Sequence, residues 1–215
     1  AIAYGLAQSG AAVVMLDEDD GALRTARGNF GLVWTQSKGL GMQRYQEWSR
    51  RSAEIWGNFA REIEASVGVD AGHEQRGGLM LCSSPDEVAQ SEALIAKMQA
   101  QAGNMPYDVT LLDRGELMAM VPGVAFGPDV VAAAYCPHDG HANPLKLLRG
   151  MHAGFQAAGG QYVPNAGVAD IERAGAGYAA IAKDGRRFEA EKIVIACGHG
   201  IPALAAKTGL HCPTR

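Results

Sequence analysis

The sequence predicts an α/β fold: a Rossmann-like layer holds both chain ends, carries a β meander and is interrupted by an inserted domain of mixed sheet and helices. Three observations predict it. The chain opens on a helix–glycine–strand unit, "AIAYGLAQSGAAVVMLDE". It closes on alternating short strands followed by the apolar run "KIVIACG". Between them lie strands and helices with caps and turns of their own. The expected division is 1–70 for the first part of the layer, 71–136 for the insert and 137–215 for the second part.

Residues 2–9 are small or apolar on most faces, which predicts a buried helix, and Gly10 ends it as a C′ glycine does. "AVVML" (12–16) is a continuous apolar run, the pattern of a strand covered on both faces. A helix feeding such a strand is half of a βαβ unit; the missing strand and turn are expected just upstream of Ala1. Residues 21–43 are glycine-rich and read as a long loop, in which Phe30, Leu32, Val33 and Trp34 argue against disorder. From Arg44 to Val67 the spacing is helical, with Tyr45, Trp48, Ser52, Trp56, Phe59, Ile63 and Val67 on one stripe.

"GGLMLC" (77–82) predicts a strand. A helix follows, with Ser84 as N-cap, Pro85 at N1 and Glu87 closing a capping box. "DVTLLD" (108–113) is a strand that hands over at Asp113 with Glu116 three residues on, and "VVAAAYC" (130–136) is another. "HDGHANP" is a loop; Asn143 then caps a helix with Pro144 at N1 that runs to the glycines at 159–160. Residues 168–173, 178–183 and 187–190 form the meander, turning at Asp184-Gly185. Strand 192–197 is expected to lie parallel to 12–16 in one sheet, since both are short and apolar throughout.

Composition bounds the function. The 215 residues are 47% hydrophobic and 20% charged, ordinary for a globular protein. Lys+Arg 19 against Asp+Glu 23 leaves a net charge of −4, so no basic field for nucleic acid exists. No apolar run reaches the ~18 residues of a spanning helix. Cys82, Cys136, Cys197 and Cys212 are scattered without a CxxC, which reads as free thiols in a cytoplasmic setting.

Asp17 and Glu18 stand where the first strand ends. A carboxylate at that position of a nucleotide-binding βαβ unit accepts the ribose hydroxyls of an adenosine, although "DEDD" also suits a solvated acidic loop. The glycine turn of such units brings backbone N–H groups to the pyrophosphate. Here it would lie upstream of Ala1, on the order of ten residues away by the size of the unit.

At this point "RGNFGLVWTQSKGLG", "YCPHDGHANPLKLLRGMHAGFQAAGG" and "IVIACGHGIPALAAKTGLHCPTR" resemble the D-amino-acid-oxidase-like flavoprotein family. The resemblance extends along essentially the whole chain. It is nearest to glycine-oxidase-like dehydrogenase subunits, the flavoprotein subunits of hydrogen cyanide synthase, opine oxidase and D-hydroxyproline dehydrogenase. It implies FAD as cofactor, a small amino or imino acid as substrate, and a partner subunit. By position it implies Asp17, with its neighbour Glu18, at the adenosine ribose. Arg24 and Thr25 would pass the pyrophosphate, and Asn29, Gly31 and Leu32 would run beside the flavin ring. Val168 would meet the adenine through its backbone, and Ala196 and Gly198 would leave room for the cofactor. The family continues past "CPTR" into a stretch with its carboxylate-binding Arg and active-site Tyr. The chain is therefore expected to be the first part of an enzyme, without catalytic side chains and inactive by itself. The expected location is cytoplasmic, or peripheral at the inner face of the membrane.

Cys136, His138, Asp139 and His141 are metal-ligand types within six residues, but a short loop rarely supplies a whole site. A strand-to-helix turn with Asp139-Gly140 at its bend is the better reading, and no metal is expected. His199 reads as a loop residue near the cofactor cleft. Two alternatives stay open: a flavin oxidase of 2-hydroxy acids, and a partial flavoprotein that binds nothing. A nicotinamide-type dehydrogenase would replace the meander and "KIVIACG" with another α/β unit.

Overall fold

In the computed structural model, residues 1–19 and 28–213 are described. The chain divides into two compact units, Ala1–Arg24 with Phe155–Arg215, and Thr25–Gly154. The expected insert 71–136 lies inside the second.

In the first unit, helix α1 (Ile2–Gln8) ends in a Schellman motif. Gly10 takes φ +85°, its N–H bonds Ala7 O, and the Ala11 N–H bonds Leu6 O at 3.1 Å. Strand β1 (Val14–Leu16) follows. Its partner is not residues 192–197 but β7 (Gln161–Val163), in a parallel pair that matches Met15 with Tyr162. The expected strand 192–197 is not formed: the segment belongs to no sheet and leaves Val194 56% exposed. Its apolar content imitates a buried strand. A strand also needs a neighbour for its backbone groups, and none among the described residues takes that place.

The meander forms as expected, from β8 (Val168–Ala174), β9 (Gly177–Ala182) and β10 (Arg187–Ala190) in antiparallel order β10-β9-β8. Ala179, Ala180 and Ala182 are buried on β9. A bulge between Val168 and Asp170 shifts the start of β8. A short 3₁₀ turn (Gly198–Gly200) leads into the last helix, numbered α6 (Ile201–Lys207), which packs on β8.

The second unit begins with β2 (Leu32–Val33), inside the expected loop, and helix α2 (Gln43–Val67). The apolar stripe of α2 is core-facing only in part. Ile63 is fully buried, but Tyr45 and Trp48 are 42% and 70% exposed. Gln46 is buried instead, its amide donating to Met98 O at 3.1 Å and its oxygen accepting from Gln101.

Strands β3 (Gly78–Cys82), β4 (Thr110–Asp113) and β5 (Ala132–Cys136) make an antiparallel sheet in the order β3-β5-β4. Helix α3 (Pro85–Gln101) packs on it, and its Met98 is fully buried. The Ser84 hydroxyl accepts the Glu87 N–H, but the Glu87 carboxylate reaches Ser83 N rather than the cap residue. The reciprocal box forms one helix later: at α4 (Arg114–Met120), Asp113 and Glu116 each accept the other's N–H. Strand β6 (Gly140–His141) pairs antiparallel with β2, and the Asn143 side chain caps α5 (Pro144–Ala157) at the Leu145 and Lys146 N–H groups.

Candidate functional site

In the first unit, three of the expected cofactor residues come together at the end of the parallel pair. Asp17 N–H bonds Val163 O, and Asp17 O accepts the Ala166 N–H at 2.7 Å. That bond draws the start of the meander, Ala166–Val168, beside the carboxylates. Asp17 is half-buried, and its Oδ1 accepts the Asp19 N–H. Glu18 is exposed, pairs with Lys183 and lies against Gly167. Ala196 and Gly198 are exposed. Gly198 takes φ +58°, and an added Cβ would meet no heavy atom within 4 Å. Two further candidates, Arg24 and Thr25, lie outside the described residues.

In the second unit, Asn29, Gly31 and Leu32 form one local arrangement. Asn29 Oδ1 accepts the Gly31 N–H at 2.6 Å, an Asx turn that aims the chain into β2. Gly31 takes φ +82° and packs against Ala142, whose N–H bonds Gly31 O at 2.8 Å. Leu32 pairs with His141 and is 55% exposed. Beside β2 opens a cleft of about 300 Å³ between the strand and α2, where Trp34, Tyr45, Trp48 and Trp56 stand with Ser49 and Ser52. The aromatic half of the α2 stripe thus faces a cleft rather than the core.

Behind β2 lies a polar network that no sequence motif signals. Asp139 is fully buried. Its Oδ1 accepts both the Thr35 N–H at 2.5 Å and the Thr35 hydroxyl at 2.8 Å, and its Oδ2 accepts the Gln36 amide at 3.0 Å. Thr35 Oγ1 also lies 3.3 Å from Cys136 Sγ, and burial pushes the Cys136 thiol pKa up. Gln36 Nε2 also donates to Gly78 O, which fixes its amide orientation and leaves the buried Oε1 without a partner.

Of the four metal-ligand types of segment 136–141, Cys136 and Asp139 stay together around Thr35, while the two histidines turn elsewhere. His138 Nε2 sits 2.5 Å from Asp108 Oδ2 and 2.8 Å from Arg50 Nη2, while His141 is in β6. No group of three or more metal-ligand side chains gathers among the described residues. The spacing around Asp139 marks only a turn; it reveals nothing of donors 104 and 103 positions away.

A parallel pair ending in carboxylates, an antiparallel meander and a further antiparallel sheet set this fold apart from a plain doubly wound one. The chain matches the FAD dependent oxidoreductase family along residues 1–215, and it belongs to that family. It is 37% identical over 218 residues to a subunit of opine oxidase from Rhizobium meliloti, and 36% over 216 residues to the corresponding opine oxidase subunit from Agrobacterium tumefaciens (strain Ach5). Each alignment covers 100% of this chain and 57% of the relative, so the chain spans little more than half the length of these curated relatives. The crystal structure of glycine oxidase from Geobacillus kaustophilus superposes with a TM-score of 0.85 at 23% identity, covering 97% of this chain and 55% of that one. That likeness shows the fold.

The cofactor of the family is FAD. The donor set suits it: ribose hydroxyls are donors, and Asp17 offers carboxylate oxygens at the strand end. No helix among the described residues is long and apolar enough to cross a membrane.

Proposed function

We propose that this chain is the FAD-binding part of an oxidoreductase that oxidises the CH–NH bond of a small amino or imino acid. The observation that carries the reading is the 37% identity to an opine oxidase subunit along the whole chain. When bound, FAD supplies the hydride acceptor at N5. The chain's own residues bind and orient. Asp17 accepts the adenosine ribose hydroxyls, and Glu18 adds negative charge beside it. Val168 meets the adenine through its backbone, while Arg24 and Thr25 pass the pyrophosphate. Asn29, Gly31 and Leu32 flank the flavin ring, and Ala196 and Gly198 keep bulk away from it. The bond that Asp17 accepts is charge-assisted, roughly twice as strong as one between neutral groups.

The catalytic side chains are not assigned. A partner subunit belongs to the same proposal, since the relatives are named as subunits. So does a cytoplasmic location, which cell fractionation tests. The decisive experiment uses the complete polypeptide with its partner. Anaerobic mixing with glycine, D-amino acids, hydroxyproline, opine-like imino acids and 2-hydroxy acids is followed by flavin bleaching. Bleaching by an amino or imino acid supports the proposal. Bleaching by 2-hydroxy acids alone replaces it with hydroxy-acid oxidation.

A further inference from the structure

We infer that Asp139 is a positioning residue that holds the segment Gly31–Gln36 in place; its consequence for the cofactor rests on the proposal that Leu32 lies beside the flavin. Strand β2 has only two residues and one neighbour, Leu32 with His141 and Val33 with Gly140. So short a ladder specifies position weakly. Beyond Val33 the backbone pairing stops, and the Asp139 carboxylate takes over: it accepts the Thr35 N–H, the Thr35 hydroxyl and the Gln36 amide. On the other side of the strand, the Ala142 N–H bonds Gly31 O. The segment is therefore pinned at both ends to one four-residue stretch, 139–142.

That stretch is itself held from behind. The Gly77 N–H bonds Asp139 O at 2.9 Å, and Glu74 and His141 exchange two backbone bonds. Gly78 packs so close to Asp139 that an added Cβ would fall 2.7 Å from the Asp139 Cβ. The carboxylate is thus presented at a fixed point. Its three donors are neutral groups, and a fully buried carboxylate with neutral donors is costly unless all its bonds form. Those bonds form only when Thr35 and Gln36 sit where they do. This couples the burial of Asp139 to the conformation of the strand that leads to Leu32.

The test is Asp139→Asn in the complete holoenzyme. The amide places a donor against the Gln36 Nε2 donor, so one bond is replaced by a repulsion while the size is kept. Amide hydrogen exchange of residues 31–36 is expected to accelerate on the order of 10-fold or more, with the β3-β5-β4 sheet unchanged. The visible spectrum of the bound flavin should shift at unchanged FAD stoichiometry. Unchanged exchange at 31–36, or equal acceleration throughout the unit, overturns the inference. Selective acceleration with an unshifted spectrum keeps Asp139 as the anchor and overturns its effect on the cofactor. Should that variant fail to fold, Thr35→Val removes one donor and keeps the backbone bond; a smaller shift in the same segment is expected, and none overturns the inference. A wild-type enzyme without flavin would refute the proposed function, while the exchange data would still decide the anchoring.

Discussion

Replacing Gly31 with alanine tests the geometry at the head of β2. Gly31 has φ +82°, and a Cβ built there would lie 2.9 Å from Pro144 Cδ and 3.1 Å from the Ala142 carbonyl carbon, with the carbonyl oxygen nearer still. A left-handed non-glycine residue costs ~1–2 kcal/mol. Overpacking against backbone that cannot yield adds ~1–3 kcal/mol. Pushing Ala142 away also breaks its bond to Gly31 O, worth ~1 kcal/mol. The expected loss is about 3–6 kcal/mol, or on the order of 10 °C in Tm for a chain of this size. Gly10→Ala is the control: φ is +85° there too, but nothing lies within 4 Å of the added Cβ. Its loss should stay near the backbone strain alone, ~1–2 kcal/mol. Urea unfolding of both variants measures the difference. Equal losses, or less than ~1 kcal/mol at Gly31, would refute the packing argument.

Asp17→Ala in the complete enzyme should weaken FAD retention by ~1–3 kcal/mol, read as the dissociation constant by equilibrium dialysis; an unchanged constant removes Asp17 from the site. Glu18→Ala should cost less, because its pair with Lys183 is exposed on both sides. Asp113→Ala should lower stability by ~1 kcal/mol through the lost cap of α4, and Ser84→Ala by a similar amount at α3, both read by urea unfolding. Cys136 should react with an alkylating reagent far more slowly than the exposed Cys197. Burial raises the Cys136 thiol pKa, so its protonated form is favoured by folding. The stability this contributes is complete below the unfolded-state pKa and is lost as pH rises through the higher folded-state value. Unfolding measured in rising alkaline pH should show that loss in the wild type and less of it in Cys136→Ala.

The features legible in the residues alone are local ones. The Gly10 stop, the caps at Ser84, Asp113 and Asn143, and the Asp184-Gly185 turn of the meander are set by chemistry within a few residues, so spacing reveals them. The fold class was legible from the order of such elements; Asp17 and Glu18 stood out as candidates by their place at a strand end, and Asn29–Leu32 only through the family resemblance. Tertiary structure decided the rest. Residues 12–16 and 192–197 carry the same apolar pattern, yet only the first becomes a strand, because β7 supplies its ladder. Tyr45 and Ile63 share one helical stripe, yet one borders an open cleft and the other is fully buried. Asp139 looks like any turn aspartate until Thr35 and Gln36 arrive from about a hundred residues earlier to solvate its carboxylate. Strand pairing and polar burial depend on partners distant in sequence, and periodicity within one segment carries no record of which partner will arrive.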